Sequence, residues 1–62
     1  MKPRDVEKII LKDGWVYMRT NGSHKQYEHP IKKGKATIPW HNKDLHIKTL
    51  ISIEKQTGLK LR

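Results

Sequence analysis

Gly22-Ser23-His24 places one imidazole just after a tight turn, in a chain of 62 residues that has no cysteine. Imidazole has an unperturbed pKa of about 6.5, so both of its protonation states are available near neutrality. The other ionisable side chains need larger shifts to offer that. An imidazole surrounded by many cations suits the movement of protons beside a bound phosphate. Arg19 and Lys25 are the nearest candidates to hold such a phosphate, and the guanidinium fork of Arg19 fits it bidentately. A bland alternative exists for each: a surface histidine with no role, and an arginine that partners nothing.

Other chemistries fit the chain less well. His24, His29, His41 and His46 match no common zinc spacing, and no cysteine supports them, so no metal site is expected. The carboxylates Asp5, Glu7, Asp13, Glu28, Asp44 and Glu54 are scattered, whereas a two-metal nuclease needs them clustered. Ser23 and His24 are adjacent on a strand and point to opposite faces, which excludes a nucleophile–base pair. Ser23 is read instead as a hairpin residue bonding its own turn. No cofactor is called for.

The charge balance points to polyanions. Fourteen Lys and Arg stand against six Asp and Glu, giving a net charge of +8. Such a field draws nucleic acid first, and also anionic membranes or acidic proteins. Tyr17 and Trp40 are candidates to stack on unpaired bases, and Lys35 to follow a phosphate backbone. Trp15 and Tyr27 are read as packing residues. No apolar run nears the ~18 residues of a membrane span, and no signal-like stretch opens the chain, so a cytoplasmic, reducing setting is expected.

The elements that must position His24 follow from pattern. Pro3 to about Asp13 predicts a helix, with Pro3 at its first position and Val6, Ile9 and Ile10 as its apolar stripe. Gly14 is its left-handed stop, and Trp15 folds back on the last turn. Trp15 to Thr20 is a strand, and Asn21-Gly22 is the loop of a type I′ hairpin. Ser23 to Glu28 returns and His29-Pro30 ends it. Lys32-Lys33-Gly34 is a second turn, and Lys35 to Pro39 a third strand. Leu45 to Thr57 is a helix with Ile47, Leu50, Ile51 and Ile53 apolar, closed by Gly58, on which Leu59 packs back.

The result is one α+β domain over residues 1–62, of order αβββα, with both helices on one face of a three-stranded antiparallel sheet. Double-stranded RNA-binding domains share this arrangement. With Asn21-Gly22 as the loop, Thr20 pairs with Ser23 and Arg19 with His24. Val16, Met18, Tyr27, Ala36 and Ile38 then face the helices, while Tyr17, Arg19, His24, Gln26 and Thr37 share the open face. A slip of one residue would reverse this and bury the histidine.

Gly14-Trp15, Arg19, Gly22-Ser23-His24, Tyr27, His29-Pro30, Thr37-Ile38-Pro39, His41, Leu50, Ile53, Lys55-Gln56 and Gly58 together resemble the HicA family of toxins. The resemblance runs from about Glu7 to Leu59. It implies a fold like the double-stranded RNA-binding domain and ribosome-independent endonucleolytic cleavage of mRNA. It implies one catalytic histidine, carried by His24, and neutralisation by a HicB-type antitoxin in a type II toxin–antitoxin system. The chain departs from the family pattern at Trp40, where a basic residue often follows the strand-end proline, and at Lys48, where a small residue often precedes the threonine. Both positions could alter which RNA is preferred. Two other readings stay open: a non-catalytic RNA-binding module of the same fold, and a protein whose only partner is an acidic antitoxin-like chain.

Overall fold

The computed structural model describes all 62 residues. Helix α1 spans Pro3–Lys12. Pro3 sits where a missing N–H costs nothing, and the Lys2 N–H donates to the Asp5 carboxylate at 2.9 Å. Val6 and Ile10 are fully buried. Gly14 ends the turn at φ +107°, and the Trp15 N–H reaches back to the Ile10 carbonyl at 3.1 Å. The expected stop and fold-back are both present.

Strands β1 (Val16–Asn21), β2 (His24–Glu28) and β3 (Lys35–Pro39) form an antiparallel sheet in that order. Helix α2 spans Ile47–Thr57. Tyr27, Ala36 and Ile38 enter one core with Val6 and Ile10 of α1 and Leu50 and Ile53 of α2, so both helices cover the same sheet face. Trp15, Leu45 and Leu61 complete that core. The αβββα order and its α+β class are as expected. No helix is long and apolar enough to cross a membrane.

The hairpin differs from the expected register. Asn21 pairs with His24, Thr20 with Lys25 and Arg19 with Gln26, so the loop is Gly22-Ser23. Only Gly22 carries positive φ, at +60°, which is the demand of a type II′ loop with glycine first rather than of type I′. A bulge then falls between Tyr17 and Arg19, and Tyr17 pairs with Tyr27 and Val16 with Glu28. One extra residue reverses the facing of everything before it. Val16 and Met18, expected inside, are therefore 52% and 44% exposed. Tyr17, expected on the open face, shares the Tyr27 face instead, with the two rings edge-on at 5.9 Å.

Helix α2 begins two residues later than expected because His46 caps it: His46 Nδ1 accepts the Lys48 N–H at 3.1 Å. Leu45 stays outside the helix as a core residue, and Ile47 in the first turn is 55% exposed rather than packed. Gly58 closes the helix at φ +74°, as expected. Beyond it, Glu54 accepts the Leu61 N–H at 2.8 Å and pairs with the Arg62 guanidinium at 3.1 Å, which seats Leu61 in the core.

A candidate active site around the one unbonded imidazole

Three of the four histidines are held by the backbone. His41 Nδ1 accepts the Lys43 N–H at 3.1 Å, and His46 caps α2. His29 is bonded at both ring nitrogens: Nε2 donates to the Asp13 carbonyl at 2.8 Å, and Nδ1 accepts the N–H groups of Ile31 and Lys32 at 3.0 Å each. Two donors on Nδ1 fix the Nε2–H tautomer. The His29 ring also stands edge-on to Trp15 at 5.3 Å. His24 alone is exposed with no intramolecular hydrogen bond, so both its nitrogens are free for a ligand.

The outward direction of His24 comes from β2 itself. Lys25 and Tyr27 pair with Ile38 and Ala36 on the helix side, which leaves His24 and Gln26 to the other face, beside Pro39 and Thr37. The register change occurred in β1, so it moved the partners of His24 and not its facing. Gly22 supplies the positive φ that launches β2, and Ser23 occupies the second loop position, its carbonyl accepting the Trp40 N–H at 2.6 Å.

His24 lines a shallow groove of about 300 Å³ between the outer face of β2 and β3 and the flank of α2. Thr37, Lys48, Thr49, Ser52 and Gln56 provide its polar lining. The Thr37 N–H, on the outer edge of β3, donates to Gln56 Oε1 at 2.9 Å and draws the helix flank against that edge. Sequence reasoning missed these helix residues as site residues. The signal was present: Lys48, Ser52 and Gln56 recur every four residues and form a polar row beside the apolar row of Leu50 and Ile53.

The other expected site residues fall in different places. Arg19 shares the face of His24, diagonal to it across Gln26, whose Oε1 accepts from the guanidinium at 3.5 Å. Lys35 is exposed across from Glu28. Lys25 lies on the helix side, with Nζ 3.5 Å above the Trp40 ring centre and 3.8 Å from the Glu7 carboxylate. Tyr17 is on that side too, its hydroxyl hydrogen-bonded to Thr20 at 2.6 Å. Trp40 packs against the core and, with Lys2, Arg4 and His41, lines a separate cleft. Neither Tyr17 nor His41 lines the His24 groove. Tyr27 is fully buried, and its hydroxyl donates to Glu7 at 2.5 Å. Burial, reinforced by Glu7, raises its pKa far above that of a free phenol.

Five of the six carboxylates are engaged elsewhere, and Glu28 stands at the far end of β2 from His24, outside the groove. Asp5 caps α1, Glu7 holds Tyr27 and Lys25, Asp13 holds Lys32 at 2.6 Å, Asp44 faces the amino terminus at 3.6 Å and Glu54 anchors the last residues. Only Lys25, Lys32 and Arg62 among the lysines and arginines sit in ion pairs. No carboxylate lines the groove, and no three of the His, Asp and Glu side chains converge to hold a metal ion. The groove is thus an open, neutral-to-cationic surface with one free proton carrier.

The elements run αβββα, an α+β order, and one family model matches nearly all of the chain. The model of the HicA toxin of bacterial toxin–antitoxin systems matches residues 3–59. The chain belongs to the HicA toxin family, and it is a toxin of a toxin–antitoxin system. No curated protein matches the sequence.

Proposed function

We propose that the protein is a metal-independent endoribonuclease that cleaves mRNA, with His24 as its catalytic proton carrier. The observation that carries this reading is the exposed, unbonded His24 ring in a groove without carboxylates. RNA supplies its own nucleophile. The 2′-OH attacks the adjacent phosphorus, its proton passes to a base, and the P–O5′ bond breaks as a proton reaches the leaving 5′ oxygen. The products are a 2′,3′-cyclic phosphate and a 5′-OH. A positioned proton carrier accelerates such a step by roughly 10² to 10⁴-fold. Arg19, on the same face, offsets the charge that gathers on phosphorus. The second proton carrier could be His41, Tyr17 or water; neither side chain lines the groove, so the reading assigns that transfer to water.

The same reading assigns a HicB-type antitoxin as the partner that silences the site. An acidic chain is attracted by the net charge of +8, and covering the His24 face would exclude RNA. Incubation of the toxin with a defined mRNA in EDTA tests the chemistry. Cleavage should persist and leave 2′,3′-cyclic phosphate and 5′-OH ends. Ends bearing 3′-OH and 5′-phosphate, or loss of cleavage in EDTA, would reject the scheme.

A further inference from the structure

The groove beside His24 extends beyond anything needed to hold an imidazole. Three hydroxyl side chains, Thr37, Thr49 and Ser52, line it together with the ammonium of Lys48. None of the three hydroxyls is engaged in a hydrogen bond, and the Lys48 ammonium makes neither an ion pair nor a hydrogen bond; the bond to His46 Nδ1 comes from the Lys48 backbone N–H. Lysines elsewhere show what engagement looks like. Lys32 is held by Asp13 at 2.6 Å and the Thr57 carbonyl at 3.0 Å, and Lys25 by Trp40 and Glu7. Lys48 is therefore a free cation on the wall of the groove that His24 enters.

We propose that Lys48 binds an RNA backbone phosphate in the His24 groove, and that the hydroxyls of Thr49 and Ser52 on the same helix flank share that phosphate or its ribose. The inference deepens the nuclease reading and rests on it for the meaning of the site, though not for the binding itself. The chemistry of the lining selects the ligand. A protein surface would require apolar anchors in the groove, and Ile53 is the one large apolar side chain there. A row of neutral donors ending in one ammonium, with no carboxylate to repel an anion, matches the repeating phosphates and hydroxyls of an RNA strand. Lys48 also supplies the cation that Lys25 cannot, since Lys25 is committed to the opposite face.

The test uses a 2′-O-methylated single-stranded RNA of mixed sequence, which lacks the nucleophile and reports binding alone. Affinities of the wild type, Lys48→Gln, Lys48→Arg and Lys60→Gln are measured from low to physiological salt. Removal of one phosphate contact lowers the slope of log K against log salt by about 0.7 on a single strand. Lys48→Gln should show that loss and cleave unmodified RNA more slowly, and Lys48→Arg should restore both. Lys60→Gln, remote from the groove, should match the wild type in cleavage. An unchanged slope and affinity in Lys48→Gln would overturn the inference, and would leave the groove to a carboxylate of a protein partner. A wild type that binds with the Lys48-dependent slope yet never cleaves unmodified RNA would sink the nuclease reading and keep this one. Failure of the wild type to bind at all would overturn both. Thermal unfolding checks that each variant is folded, which an exposed first-turn position should permit.

Discussion

His24 and His29 stand five residues apart at the two ends of one short strand, and their surroundings are opposite. His29 has 8% of its side chain exposed and is bonded at both nitrogens. It ties the end of α1 to the loop before β3, with Lys32 extending the tie to the last carbonyl of α2. His24 is exposed and bonded to nothing. The two share a side chain but not a task. A ring whose donors and acceptors are all used holds structure, and a ring with both nitrogens free can exchange protons with a ligand.

The comparison breaks most sharply on activity. His24→Ala should lower RNA cleavage by roughly 10² to 10⁴-fold and leave stability within about 0.5 kcal/mol of the wild type. Chemical unfolding beside a cleavage assay reads both quantities. His29→Ala should do the reverse. It leaves the part-buried Asp13 carbonyl without its partner and removes the ring packed on Trp15, while the exposed Ile31 and Lys32 N–H groups turn to water, at a cost of about 1–3 kcal/mol. For a chain of this size that is a fall of roughly 4–24 °C in Tm. Cleavage would then fall only in proportion to the unfolded fraction.

Smaller perturbations sharpen the same contrast. Gly14→Ala forces a side chain onto φ +107° and sets its Cβ 2.8 Å from His29 Nε2, with the His29 ring packed against Trp15. It should cost about 1–3 kcal/mol, read by thermal unfolding. An acid titration should show a still smaller effect from the same region. Asp13 has its pKa held below the ordinary 3.8, chiefly by the hydrogen bond from Lys32. Glu54 is held below 4.5, chiefly by the Leu61 N–H and next by Arg62. Depressed values mean that both contribute stability above the unfolded pKa, and that it is lost as pH falls through the folded one. Stability should therefore decline below about pH 4, where the unfolded carboxylates begin to bind protons. Asp13→Asn should make that decline shallower.

Much of this was legible in the residue order. The stripe Val6, Ile9, Ile10, the stops at Gly14 and Gly58, and the inward alternation of Tyr27, Ala36 and Ile38 are local patterns with one physical reading each. The outward facing of His24 followed from β2 alone and survived a wrong hairpin register. The facing of Tyr17, Val16 and Met18 did not, because a bulge depends on how two strands twist together and leaves no mark in strand composition. The apolar pattern starts α2 too early, at Leu45, because a histidine serves as the cap in place of a commoner capping residue. The roles of Lys25 and Lys32 depend on contacts 18 or more residues away in sequence, with Glu7 and Asp13, which spacing cannot reveal. The Lys48, Ser52 and Gln56 row was visible as polar spacing, but only the packing of α2 along β3 shows that it meets His24.

The central claim is that one imidazole of four performs proton transfer on RNA. The most direct measurement is the cleavage rate, per folded molecule, of His24→Gln, His29→Gln, His41→Gln and His46→Gln against the wild type. Only His24→Gln should lose activity, and the other three should cleave at the wild-type rate once corrected for folding. Undiminished cleavage by His24→Gln, or loss of cleavage in a fully folded variant of another histidine, would contradict it.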